Sequence, residues 1–507
     1  MNLTTDFNTK TKEELIELLH AQAKKIHLLE ELHRAYQLRQ FGNQSEKVSP
    51  DQHSIFNEAV LPKNIENILQ AEEEIQVAAY AYKKPGRKAL PAELPRVQRI
   101  YDLDESEKTC MCGCALTYIK DEKSEQLELI PAQIYVIEHI RKKYACRSCE
   151  ETIKTAPMPK APIPRSIAAA GLLSHVIVSK YSDHLPLYRQ EKILKRIGVD
   201  IPRATLCLWI IKCAELLKPF MKIMHDHILH YDIAYVDETT VQVLKDPNKG
   251  VGSKKYMWLF AGGPPDQFVF YYHYHHSRVH EAPFSFFENF KGYLHCDGFP
   301  GYDTLAAKNK SITLSGCLYH ARRKFVEVVK LVNGKEGVAT TVVALIAKLS
   351  VIEQNIKALP ADEKYQIRQE KSKPLFTELY EYLTASQPTV PPKSLLGKAI
   401  SYTLKQWNKL LIHLNDGRLD NSNNLSERAI KPFVIGRKGW LFADSVAGAE
   451  ASALLFSLIE TCKHHEVEPY AWFRYVLQKI PSCQTRDEIE ALLPFNIDEK
   501  LLVSNVS

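Results

Sequence analysis

The sequence predicts a multidomain α+β protein. Three features carry that prediction. The chain has 507 residues, too many for one hydrophobic core. Five of its cysteines crowd into two short knuckles, and strand-like runs after residue 230 alternate with helical ones. An apolar fraction of 45% and a charged fraction of 25% belong to a folded globular protein and exclude wholesale disorder. The net charge of +6 permits nucleic-acid binding without requiring it. No apolar run reaches the roughly 18 residues of a bilayer span, and the start MNLTTDFNTK lacks a signal-peptide core, so a cytoplasmic protein with no membrane partner is expected.

Residues 1–45 are expected to form a leucine-rich helix. Leu15, Leu19, Ile26, Leu29 and Tyr36 follow a heptad seam broken at Gln22 and His33. A dimeric coiled coil fits it, and so does an amphipathic helix packed on its own domain. Residues 46–100 read as a linker ending in the basic knot from Lys83 to Lys88. Its Arg87 and Lys88 are candidates for a DNA minor groove, with solvated surface as the alternative.

Residues 101–156 resemble a zinc ribbon. Cys110, Cys112 and Cys114 precede Cys146 and Cys149, and four of these five thiols could hold one structural Zn²⁺; the choice between Cys112 and Cys114 stays open. The alternation of Gln133 to Lys143 predicts a strand between the knuckles.

Residues 157–225 hold a proline-rich linker and then a helix-turn-helix pattern. Leu187–Ile197 reads as one helix, 198–201 as a turn, and Pro202–Leu217 as a second helix. Arg203 and Thr205 would then stand at a groove-facing helix N-terminus, although any helical hairpin shares this outline.

Residues 226–435 carry the chemistry. Strands are predicted at 231–236, 255–262, 267–274, 292–296 and 311–315, with a helix over 278–290 and a helical insertion over about 321–414. Three strands, helix, strand, helix, strand is the element order of an RNase H-like fold. Asp237 in IAYVDET, Asp297 in YLHCDGF and Glu427 in NNLSERAIKP then fall on the first strand, after the fourth and on a later helix. Each acid alone is a weak signal, whereas three in this order fit the hard ligands of two Mg²⁺ or Mn²⁺ ions in phosphoryl transfer. Arg322, Arg323, Lys324, Arg428 and Lys431 are candidates for DNA phosphates; a helical ion pair to Glu427 is the alternative for Lys431. Residues 436–507 are expected to be a small helical domain.

PGRKALPAELPRV, the knuckles, HLPLYRQ with GVDIPRATL, VDET, DGFPGYD, CLYHARRKF, NNLSERAIKP and the RKGWLFADSVAG ending together resemble bacterial transposases of the DDE class, in the family named for insertion sequence sixty-six. The resemblance covers nearly the whole chain. It implies that Asp237, Asp297 and Glu427 are the metal-binding triad. A water would cut at the element's ends, and the freed 3′-hydroxyl would attack target DNA. The implied partners are terminal inverted repeats, target DNA, at least one further copy of the chain and companion proteins of the same element. Cys317 and His320 resemble a Cys-x-x-His element of several transposase families and read as core residues, not zinc ligands. Two alternatives are a regulator derived from an inactive transposase and a nuclease that cuts without joining.

Overall fold

The structure is a computed structural model that describes residues 134–145, 153–247, 253–278, 281–332, 334 and 336–502, with residues 11, 12, 16, 22, 26, 29 and 33 near the start. Of these, Lys12, Ile16, Gln22, Ile26, Leu29 and His33 are helical, and the seam positions Ile26 and Leu29 are 58% and 57% exposed. Arg87, Lys88 and all five knuckle cysteines lie outside the described residues.

Residues 73–158 form a unit of their own. Its described part is a hairpin of β1 (Lys143–Ala145) and β2 (Ile153–Thr155), antiparallel with Tyr144 opposite Lys154. The strand expected up to Lys143 is not formed over 134–142, where every side chain is exposed. Alternation alone makes no strand, since β2 offers only three partners.

The other unit begins its described globular part with three helices, α1 (Ala170–Tyr181), α2 (Leu187–Arg196) and α3 (Arg203–His230). Helix α3 runs well past the predicted Leu217, through Pro219, because its buried stripe continues in Phe220, Met224 and Ile228. Burial along that face outweighs the hydrogen bond that proline cannot donate.

Next come β3 (Ile233–Val241), β4 (Val243–Lys245), β5 (Lys255–Gly262), β6 (Val269–His275), α4 (Glu281–Phe286), β7 (Gly292–Cys296), α5 (Pro300–Lys308) and β8 (Ile312–Gly316). The main sheet has the order β6-β5-β3-β7-β8, antiparallel on the β6-β5-β3 side and parallel from β3 through β7 to β8. The predicted helix over 278–290 shrinks to the six residues of α4. Gly292 opens β7 at φ +139°, where an added Cβ would collide with the Asp232 carbonyl.

The insertion comprises α6 (Leu318–Leu331), α7 (Val338–Ile356), α8 (Ala361–Ile367), a π-helical turn at Arg368–Ser372, α9 (Lys373–Ser386) and α10 (Leu395–Leu410). It has its own core of Phe325, Val343, Ile346, Leu379, Leu383 and Ile400. Among the described residues α7 is the helix long and apolar enough to cross a bilayer, and its buried side lines this core. The insertion closes on itself, for the Leu318 amide donates to the Asn421 carbonyl at 2.9 Å.

The chain returns to the sheet with α11 (Asn424–Trp440), β9 (Ala443–Ser445), α12 (Val446–His464), α13 (Pro469–Lys479), α14 (Arg486–Glu490) and α15 (Glu499–Leu502). Strand β9 pairs with β4. Helix α12 shares the core of the sheet and covers its β6 edge. Ser457 and Thr461, one turn apart on α12, accept hydrogen bonds from the Tyr272 and Phe270 amides at 2.7 and 3.1 Å. Hydroxyls thus occupy edge donors that would otherwise invite another strand.

Arg368, only 1% exposed, pins the insertion. It donates to both Glu353 oxygens at 2.8 and 2.6 Å and to the His413 and Asp416 carbonyls at 2.9 and 3.1 Å. Arg368→Ala strands Glu353 and two carbonyls, and should cost about 3–5 kcal/mol. Urea unfolding should show that loss in the transition of the helical insertion; an unchanged midpoint would refute it.

Candidate active site

The register of two parallel strands sets the centre. Tyr235 on β3 pairs with His295 on β7, and their rings stack at 4.7 Å with an interplanar angle of 9°. Two residues further along each chain come Asp237 and Asp297. Side chains on one sheet face repeat every second residue, and parallel strands lie about 4.8 Å apart, so the two carboxylates emerge side by side on the Tyr235–His295 face. Asp237 is not at a strand end as expected. Strand β3 continues to Val241 because β5 pairs alongside it as far as Lys255. Asp297 does follow the last residue of its strand, and its Oδ1 accepts from the Phe299 amide at 2.9 Å. Gly298 beside it has a packing cause: a Cβ there would stand 2.6 Å from the Tyr402 ring of α10.

Glu427 lies in the first turn of α11, where the helix dipole favours a negative charge. What brings it to the aspartates is Asn423, 1% exposed, whose Nδ2 donates to the Val236 carbonyl at 3.0 Å. The Asn423 carbonyl in turn accepts the Glu427 amide at 3.1 Å. One residue therefore joins the helix of Glu427 to the strand position next to Asp237.

The electrostatics agree with this convergence. Burial pushes the Asp237 carboxyl well above the usual range, and the charges of Glu238, Asp297 and Glu427 add to the shift, against an opposing hydrogen bond from the Glu238 amide. Four acids crowd one another, an arrangement that a divalent cation relieves.

Glu238 was missed by sequence reading. Its side chain is 4% exposed and raised in pKa by burial, then eased by Tyr302. Arg278 Nε and Nη2 donate to its Oε1 at 2.8 and 2.5 Å, and the Tyr302 hydroxyl donates to Oε2 at 2.6 Å. Arg278 also lies 4.2 Å over the Phe299 ring. Glu238 thus fastens β3 to the segment that follows Asp297. The paired acids of VDET were a signal; its partners Arg278 and Tyr302 had none.

The predicted cations are distributed unequally. Arg323 is paired with Glu427, Nη2 to Oε2 at 3.1 Å. Lys324 sits 4.4 Å over the Tyr402 ring. Arg322 is half-buried on the same helix, and Lys431 is exposed on α11. Arg428 lines a separate cavity of about 800 Å³ with Lys357, Lys364, Lys463 and Asp420. Arg203 and Thr205 do open α3, and Glu191 of α2 accepts the Arg203 amide at 2.9 Å. Cys317 caps α6, and His320 stands in its first turn, 3.4 Å from Glu427.

Residues 165–451 match the model of the Transposase IS66 family, and 457–495 match the IS66 C-terminal element. Residues 107–150 match the zinc-finger binding domain of transposase IS66, and 28–99 the domain described as Transposase C of IS166 homeodomain. Similar proteins occur in Sinorhizobium fredii (strain NBRC 101917 / NGR234). Uncharacterized protein y4jD is 35% identical over 80% of this chain and 81% of its own length. Uncharacterized protein y4hP is 31% identical over 80% and 76% respectively. A match over more than half the chain, centred on the strands and helix that carry the three acids, shows that this protein belongs to the IS66 transposase family.

Proposed function

We propose that this protein is a DNA transposase with an RNase H-like catalytic core, which cuts the ends of its own insertion sequence and joins the 3′ ends to target DNA. The observation that carries the reading is the Tyr235–His295 register, which sets Asp237 and Asp297 side by side with the Glu427 charge in reach. The sheet order, with three antiparallel strands continued by two parallel ones, supports the fold.

Asp237, Asp297 and Glu427 would hold a pair of Mg²⁺ or Mn²⁺ ions. The fit rests on like-charge crowding at Asp237 by Asp297 and Glu427 in a buried site. Such a pair supplies charge stabilisation for the attacking and leaving oxygens of an in-line phosphoryl transfer. The chain's own part is positioning: Glu238 with Arg278 and Tyr302 keeps β3 and the Asp297 loop in register, and Asn423 sets the height of Glu427. Arg322 and Lys324, on the helix whose Arg323 pairs with Glu427, and Lys431, one turn after Glu427 on α11, would serve scissile phosphates, while the zinc ribbon, Arg87, Lys88 and the α2–α3 hairpin would recognise inverted repeats. Residues 226–435 form the catalytic domain in this reading.

Asp237→Asn and Asp297→Asn should each lower nicking and joining of inverted-repeat DNA by at least about a thousandfold. End binding in a gel-shift assay should persist. Cleavage by either variant would remove the triad, and cleavage without joining by the wild type would favour a nuclease.

A stability experiment follows from the crowded acids. Raised folded-state carboxyl values favour the protonated fold, so the metal-free stability that these two carboxyls contribute is fully present at acid pH. It falls as pH rises from the ordinary unfolded values through the raised folded ones. Asp297→Asn should therefore gain about 1 kcal/mol at pH 7 without metal and flatten the slope. Mg²⁺ should stabilise the wild type and not this variant; equal Mg²⁺ responses in thermal melts would contradict the proposal.

A further inference from the structure

Cys317, His320 and Glu427 form a group whose chemistry differs from that of the three acids. A sulfur, a ring nitrogen and a carboxylate oxygen lie within 4.8 Å of one another, the one such mixed group among the described residues. Cys317 is the N-cap of α6 and only 4% exposed, and His320 follows one turn later on the same side. His320 Nδ1 and Glu427 Oε1 are 3.4 Å apart. Neither atom has a hydrogen-bond partner, although both are shut off from solvent. The other carboxylate oxygen, Oε2, is the one that Arg323 takes.

Two buried polar atoms that face each other without a hydrogen bond, beside a buried sulfur, need a shared partner. We propose that Cys317, His320 and Glu427 bind one borderline divalent cation of the zinc class, at a site that shares Glu427 with the acidic centre but is chemically separate from it. Thiolate, imidazole and carboxylate are a zinc donor set, whereas Mg²⁺ takes hard oxygens. A tetrahedral ion with bonds of about 2.0–2.3 Å keeps its ligands about 3.3–3.8 Å apart. The His320–Glu427 pair already has that spacing, and the sulfur has to close by about an ångström or less. The fourth position is left for water. The bound ion would lock Glu427 to α6 through Oε1 before DNA arrives, and this inference stands whether or not the proposed reaction is correct.

The test is metal content of the full-length chain, purified without chelator and equilibrated with Zn²⁺ alone. Wild type should hold one more zinc per chain than Cys317→Ser or His320→Gln; zinc in the ribbon is common to all and cancels. Arg323→Gln, which removes a charge and no ligand, should match the wild type. In a competition titration His320→Gln should weaken this ion by more than about tenfold with an unchanged circular dichroism spectrum. Equal zinc content and equal affinity in wild type and both ligand variants would overturn the site and leave a His320–Glu427 ion pair only.

Discussion

The hydrogen bond from Asn423 to the Val236 carbonyl is the constraint on which the rest of the site depends. Two of the acids come almost for free, because neighbouring parallel strands in fixed register must present them together. The third is separated from them by an entire helical layer with its own core. Any slack in that layer would be felt at Glu427. The fold removes the slack twice: Leu318 and Asn421 join entry to exit, and Arg368 binds the exit to α7 through Glu353. Loop-closure entropy grows slowly with length, so a long insertion is tolerated once its ends are tied this closely.

The cost of the site is electrostatic. Asp237, Glu238, Asp297 and Glu427 crowd a partly buried space in which each disfavours the ionisation of Asp237. Glu238 is answered within the protein by Arg278 and Tyr302, and so it works as a structural strut. The other three are answered incompletely, which is the usual signature of a place where function opposes stability. The neighbouring aromatic layer tolerates no further charge. His295 and His413, both fully buried near Arg368, are pushed down to about 3 by burial first and by that guanidinium second.

Much of this was legible in the sequence where local chemistry and tertiary packing agree. Strands β5 and β7 were readable to the residue because continuous apolar runs end at glycine or at a charge. The order of the motifs picked out Asp237, Asp297 and Glu427, and the fold brings the charges of the latter two to bear on Asp237. Legibility failed where one element borrows from another. Helix α3 ignores Pro219 because its buried face continues, and β3 outlasts its apolar run because β5 pairs with it. Residues 134–142 alternate well and still form no strand. Glu238 was hidden because its partners Arg278 and Tyr302 come from other parts of the chain, which is a tertiary fact. Cys317 and His320 read as core residues from their spacing, and the carboxylate that lies within 4.8 Å of both comes only with α11.

Arg323 was expected on phosphate and is found on Glu427, a difference with physical content. Its side chain is 48% exposed and that of Glu427 26% exposed. A pair so open to water is worth only about 0–1 kcal/mol. That is enough to set the resting rotamer of Glu427 and too little to hold the carboxylate against a divalent cation, whose attraction at the same distance is roughly doubled by its charge. In the proposed reaction the released guanidinium would stand on the first turns of α6, beside Arg322 and Lys324, where a phosphodiester oxygen would replace the single carboxylate oxygen it now holds. The same weak pair therefore orients Glu427 without metal and keeps a guanidinium beside it, where the phosphate expected for Arg323 would be its next partner.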